Sequence, residues 1–357
     1  MKITILGLTI TSSWGNGHAT TFRSLCRALH ALGHRISFIE KDVEWYRSNR
    51  DLPSPPYVQV FLYEDWQTDG APLVTRESRD ADVLVIGSYF PDAIAATALL
   101  RDLVQAPILF YDIDTPITLA QLRLHGRTDY LLSSDIPHYA AYMSFTGGPA
   151  LAELRTRFGS PYPVPLFCSV DPSHHVRTAP SPEYAADLSY LGTYAADRQP
   201  GLQRMLDDPA RQLSERSFLV AGPMYPPDLR WSPNVRRLTH VSPPDHSTFY
   251  SSSRFTLNLT RQDMMEAGFS PSVRLFEASA CSATIISDPW PGLDTFLTPG
   301  REILLASTAA DVTKILTGLS EQERLEIGAR ARERILSTHT AAHRAREFEQ
   351  IIDHIIT

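Results

Sequence analysis

Short runs of β-branched and apolar residues alternate with amphipathic stretches along nearly the whole chain, and few architectures satisfy that pattern. Residues 3–8, 35–40, 58–63, 82–87 and 106–111 read as strands, with amphipathic helices at 19–32 and 92–103 among them. Strand and helix in alternation call for a parallel sheet covered by helices on both faces. Residues 130–134 read as a sixth short strand and 150–158 as a helix, after which Pro161, Pro163 and Pro165 interrupt regular structure. The alternation then starts again. Strands are expected at 187–191, 217–221, 255–259, 284–287 and 302–306, and helices at 309–319, 321–336 and 341–356. Two α/β domains follow from this, meeting near residue 165, and 357 residues are enough to bury both cores.

The formal charge of -7 is carried without any basic cluster, so no electrostatic footprint for nucleic acid exists. Cys26, Cys168 and Cys281 are odd in number, far apart and free of Cys-x-x-Cys spacing, which excludes a disulfide framework or a cysteine zinc site. The opening apolar run is too short for a signal peptide, and no later run approaches the ~18 residues of a membrane span. A cytoplasmic protein without a transmembrane segment is the expectation.

One stretch carries most of the chemistry. Gly268-Phe-Ser-Pro-Ser-Val-Arg-Leu-Phe-Glu-Ala-Ser-Ala280 reads as a loop and a helix, and Thr284-Ile-Ile286 as the strand after it. The backbone NH groups of Ser272, Val273 and Arg274 would leave the helix start unsatisfied, next to Ser270 and Pro271, and such an end attracts phosphate. Glu277 lies about one and a half turns further on. From there a carboxylate can reach the two hydroxyls of a ribose whose phosphates rest on the helix end. A nucleoside diphosphate fits.

The stretch resembles the donor-binding motif of GT-B glycosyltransferases. In detail it is similar to the CgeB-like (spore-maturation-protein-like) group, with its Gly-aromatic-Ser-Pro-Ser-x-Arg-Leu-Phe-Glu-Ala-x-Ala-Cys run. Ser287-Asp-Pro-Trp-Pro-Gly-Leu293 follows as in that group, and Phe296, Gly300, Glu302 and Ile303 complete the pattern. The resemblance implies a GT-B fold, α/β in class, with two Rossmann-like domains facing a cleft: residues 1–165 for the acceptor and 166–336 for the nucleotide-sugar, with a last helix, 337–357, crossing back to the first domain. It implies a glycosyltransferase that takes a nucleoside-diphosphate sugar, a UDP-sugar as the first guess, as co-substrate. No cofactor or metal is required if arginines and helix-end NH groups stabilise the diphosphate.

Two departures from related GT-B sequences stand out. Retaining enzymes of the two-glutamate type have a second glutamate eight positions before the one matching Glu277. Here that position is Phe269, with Glu266 three residues further back, so stereochemistry does not carry over. Ser282 also stands where the group usually has glycine.

Further candidates lie at strand ends. Gly192 and Thr193 follow the first strand of the second domain, where glycine lets a diphosphate approach the backbone. Arg198 and Arg261 could neutralise the charge that grows as the sugar leaves, or be surface arginines. Arg274 is either a donor ligand or the i, i+3 partner of Glu277. His240 and Val241 occupy a loop that could meet the base. In the first domain, Trp14, Gly15, Asn16 and Gly17 form an acceptor-side loop lacking Gly-x-Gly-x-x-Gly, similar to the loop of GT-B enzymes with Gly-x-Gly-His before a helix. His18 at its end, or Asp114 beyond the strand at 106–111, could take the acceptor proton in an inverting displacement. A histidine base would lose activity as pH falls through about 6.5. No Asp-x-Asp lies in a convincing metal-binding loop: Asp112 and Asp114 form the only candidate, in the wrong domain for a donor metal.

A nucleotide-sugar epimerase on the same fold, or a non-catalytic partner subunit, would share much of this pattern. An epimerase would turn over without acceptor, and a partner subunit would bind nucleotide weakly. The expected partners are a nucleotide-sugar and a small-molecule, glycan or protein acceptor.

Overall fold

A computed structural model describes residues 1–14 and 17–356, and the chain divides into two compact units. The first comprises Met1–Cys168 with Ala341–Thr357, the second Ser169–Thr340. The division falls where it does because His339 and Thr340 close back on Val170, whose NH donates to the His339 carbonyl at 3.1 Å. No helix among the described residues is long and apolar enough to cross a membrane.

The first unit is a seven-stranded parallel sheet. Its strands are β1 (Lys2–Leu6), β2 (Arg35–Lys41), β3 (Gln59–Tyr63), β4 (Val83–Gly87), β5 (Ile108–Asp112), β6 (Ala141–Ser144) and β7 (Pro163–Pro165), in the order 3-2-1-4-5-6-7. The central strands are almost wholly buried, as a sheet covered on both faces requires. Helix His18–Ala31 lays Phe22, Leu25 and Leu29 on one face, where Phe22 meets Phe38 edge-on at 5.1 Å. Each such burial contributes about 1.5–3 kcal/mol. Gly33, at φ +90°, ends this helix where a side chain would be strained. The last helix, Ala341–Ile356, packs on helix His18–Ala31, and Glu349 Oε1 lies 3.0 Å from His34 Nε2.

The second unit is a six-stranded parallel sheet. Here β8 (Ala186–Leu191), β9 (Phe218–Ala221), β10 (Val235–Leu238), β11 (Ser253–Asn258), β12 (Thr284–Ser287) and β13 (Leu304–Leu305) are ordered 10-9-8-11-12-13. In each sheet the strand order reverses once, at β1/β4 and at β8/β11. Open α/β sheets bind ligands beyond the carboxyl ends of the strands at such points.

Three local expectations fail. Residues 130–134 are not a strand: Tyr130 and Leu131 drop into the core from a loop, Ser133–His138 forms a 3-10 turn, and the strand is β6. The prolines at 163 and 165 do not break the sheet. They lie in β7, an edge strand that pairs on one side only, where missing NH groups are tolerated. Strand β10, with arginines at two of its four positions, carried no apolar alternation and was not expected.

Candidate functional site

Beside the β8/β11 reversal the backbones of the loops after β8 and β9 touch. Gly192 NH donates to the Ala221 carbonyl at 2.9 Å, and a Cβ on Gly222, itself at φ +140°, would stand 2.0 Å from the Gly192 carbonyl oxygen. Only glycine fits there. Arg198 follows this loop and donates from Nη2 to the Thr193 carbonyl at 2.9 Å. Arg261 follows β11, with its Nε 3.8 Å from Asp197 Oδ2. The Nε atoms of both arginines are buried, and neither has a hydrogen-bond partner among the described residues. A buried guanidinium NH left unpaired costs on the order of 1–3 kcal/mol or more, so both nitrogens would favour an anionic acceptor.

The helix foreseen after Ser272 runs Val273–Ala280. Ser272 is its N-cap, but the hydroxyl donates to Asn258 Oδ1 at 2.7 Å instead of capping its own helix. The first turn therefore has no side-chain cap, while Ser270 and Pro271 are buried beside it. Arg274 does not pair with Glu277. Its Nε donates to the Leu191 carbonyl at 2.9 Å and its Nη1 to Asn258 Oδ1 at 3.0 Å, and the guanidinium lies over the Tyr190 ring at 4.8 Å. Arg274 thus ties the ends of β8 and β11 together. Beside it, Asp288 accepts from the Thr260 NH and hydroxyl at 2.9 and 2.8 Å, and burial pushes its carboxyl pKa up.

Glu277 is only 7% exposed. Two imidazoles flank it: His175 Nε2 stands 3.5 Å from Oε1 and His246 Nδ1 3.8 Å from Oε2. Burial alone would raise the Glu277 pKa, but the neighbouring His175 and His246 more than offset it and leave it below the usual glutamate value. Neither histidine was anticipated. His246 could have been suspected as the residue after Ser242-Pro-Pro-Asp245, a helix-start pattern, whereas nothing in Asp171-Pro-Ser-His-His175 announces the second. His240 is exposed and Val241 buried in the loop after β10.

In the first unit the loop after β1 is pinned by Glu40, fully buried at the end of β2. Its carboxylate accepts from the NH groups of Ile10 and Thr11 and the hydroxyls of Thr9 and Thr11, at 2.6 to 3.1 Å. Trp14 is 38% exposed, Gly17 is the helix N-cap, and Gly15 and Asn16 lie outside the described residues. His18 opens the helix almost fully buried, its Nδ1 without a hydrogen-bond partner among the described residues, and burial lowers its pKa to about 4. Its ring meets that of Tyr89 edge-on at 5.2 Å, and the Tyr89 hydroxyl reaches Asp114 Oδ2 at 3.2 Å. The two rival bases are therefore brought together around a tyrosine that the sequence did not single out. Asp112 differs. Its carboxylate is filled by Tyr142, Thr118 and the Asp114 NH at 2.6, 3.0 and 3.1 Å, and burial raises its pKa to about 6. This is a structural role, and it leaves the Asp112/Asp114 pair poorly suited to a metal.

Residues 198–350 match the family model described as glycosyl transferase-like. No curated protein matches the chain in sequence. Among solved structures, sucrose-phosphate synthase from Thermosynechococcus elongatus is similar at 12% identity and a TM-score of 0.69, covering 99% of both chains. T4 phage β-glucosyltransferase in complex with its UDP-glucose substrate is similar at 14% identity and a TM-score of 0.61, over 99% of this chain and 100% of that one. The chain has the GT-B fold. Anabaena HepE in complex with UDP-glucose shares it, at 11% identity and a TM-score of 0.67 over 99% of this chain and 100% of its own.

Within this GT-B chain the two departures from the glycosyltransferase motif have physical outcomes. Phe269 sits at φ +49° and donates its NH to the Pro291 carbonyl at 2.6 Å, its ring against Gly292, so it packs the loop at the position where retaining two-glutamate enzymes have a carboxylate. Ser282 lies at φ +57° just after the motif helix, the left-handed conformation for which glycine is the unstrained choice.

Proposed function

We propose that this GT-B protein is a glycosyltransferase of the CgeB-like group. It moves a sugar, a hexose in the first instance, from a nucleoside-diphosphate sugar, UDP-sugar first, to a hydroxyl, amine or thiol acceptor. One observation carries the reading: polar groups without hydrogen bonds gather at the carboxyl edge of the second sheet. The orphaned Nε atoms of Arg198 and Arg261 and the uncapped start of helix Val273–Ala280 suit a diphosphate. The Glu277 carboxylate, with imidazoles no nearer than 3.5 and 3.8 Å, suits the ribose diol. The UDP-glucose bound to T4 β-glucosyltransferase and to HepE supports this choice of donor.

Negative charge grows on the leaving diphosphate as the glycosidic bond breaks. Arg198, Arg261 and the helix-end NH groups would meet it, which makes a metal ion unnecessary for that step. In an inverting displacement Asp114 suits the acceptor proton better than His18. The His18 imidazole is almost fully buried, whereas the Asp114 carboxylate is only half-buried just beyond a strand end, where an acceptor hydroxyl can reach it.

Calorimetry with UDP and pyrophosphate in the presence of chelator tests the donor site. UDP should bind, and Glu277→Ala should weaken it while leaving pyrophosphate binding nearly unchanged. Equal loss of both ligands would remove the ribose assignment. Turnover of a UDP-sugar without acceptor would make the protein an epimerase instead.

A further inference from the structure

We infer that His175, His246 and Glu277 form a binding site for a divalent transition-metal ion of the zinc class, and that this ion and the ribose of a nucleotide exclude one another at Glu277. The second half rests on the donor site proposed above; the ion site itself does not.

One ligand atom from each of the three side chains can be chosen so that all lie within 4.8 Å of one another. The separations of 3.5 and 3.8 Å from the carboxylate oxygens are too long for hydrogen bonds. They come close to the roughly 3.4 Å between ligands of a tetrahedral ion with bonds of about 2.1 Å. His175 is nine-tenths buried with its Nε2 turned to the Glu277 carboxylate, so two desolvated polar groups face each other without a hydrogen bond of normal length between them. Two imidazoles and one carboxylate favour zinc, cobalt or nickel over magnesium or calcium, which prefer oxygen ligands throughout. Three protein ligands leave the fourth position of such an ion open.

The ligands are also held in advance, through Ser247. Its hydroxyl donates to the His174 carbonyl at 2.7 Å and lies 3.3 Å from the Val176 NH, fixing both neighbours of His175. Ser247 follows His246 on helix His246–Ser252, and its hydroxyl lies 3.8 Å from the Cys281 sulfur just past the Glu277 helix. One serine thus ties together the three segments that supply the ligands, the kind of outer support that tunes metal sites. Because each carboxylate oxygen of Glu277 faces one imidazole, an ion held by the three would occupy the acceptor that a ribose diol needs.

The test uses the whole protein, stripped with chelator and titrated with cobalt(II), whose visible absorption strengthens on tetrahedral coordination. One ion per chain is expected, with affinity lowered at least about tenfold by His175→Gln and by His246→Gln. UDP should release the cobalt, and cobalt should raise the apparent Kd of UDP. Equal cobalt affinity in the wild type and both variants, or cobalt and UDP bound together without mutual effect, would overturn the inference. UDP binding measured in chelator tests the donor site separately, so an ion site without nucleotide binding would sink only the functional reading.

Discussion

The hydroxyl of Tyr89 meets Asp114 at 3.2 Å from a backbone at φ +63°, a conformation that costs a bulky residue about 1 kcal/mol or more. Tyr89 lies just beyond β4, at the strand reversal of the first sheet, and its ring also abuts His18. Strain held at such a place is commonly tied to function.

If Tyr89 orients Asp114 as the base, Tyr89→Phe should leave the ring packing intact and remove only the hydroxyl donor. Stability should fall by about 0.5–1.5 kcal/mol. The rate constant should fall more than the Michaelis constant rises, because orientation of a base matters to turnover and not to substrate binding. Melting curves and steady-state kinetics on the same preparation separate the two effects. An unchanged kcat would assign Tyr89 to packing alone.

Burial of His18 reverses the simplest pH argument for the base. With a pKa of about 4 the imidazole stays neutral well below pH 6.5, so activity that persists in mild acid does not distinguish His18 from Asp114. Stability does register the burial. His18 has a depressed pKa, about 4 against 6.5, so between those values the unfolded chain binds more protons and stability rises with pH. Asp112 has a raised pKa, about 6 against 3.8, so over that window the native state binds more protons and stability falls with pH. Each contributes roughly 3 kcal/mol across its window, and the two nearly cancel. Relative to wild type, His18→Gln should therefore add a fall in stability from about pH 4 to 6, and Asp112→Asn a rise. Urea unfolding at several pH values measures both slopes. Difference curves that stay flat would mean that neither group is perturbed as described.

The sequence made some of this visible and hid the rest for definite reasons. Strands such as β4 and β5 are buried on both faces, so they appear as unbroken apolar runs. Strands β7 and β10 lie at sheet edges, where prolines and arginines are admitted and the apolar signal is lost. The segment from Ser270 to Glu277 is one loop and one helix, so its chemistry is local and legible. His175 and His246 reach Glu277 from separate segments, and Tyr89 joins His18 to Asp114 because β4 lies between β1 and β5 in the sheet. Contacts made by topology leave no mark on sequence spacing. Arg274 shows the converse: spacing offered it Glu277, while the sheet supplied Leu191 and Asn258.

Arg198 and Arg261 offer the sharpest test of the chemical step. Their Nε atoms are buried without hydrogen bonds, so a diphosphate would satisfy them in the ground state and gain more from them as its charge grows. Arg198 is also held by the Thr193 carbonyl, whereas Arg261 makes a long contact, 3.8 Å, with Asp197. Alanine at either position should lower kcat on the order of 10²-fold, the scale of losing one transition-state donor, with a smaller rise in KM. Lysine should restore more at 261 than at 198, because a point charge can replace a loosely held guanidinium but not one fixed by its carbonyl partner. Equal rescue at both positions would show that the Thr193 bond does not orient Arg198. Wild-type kcat in both alanine variants would place the arginines outside the reaction.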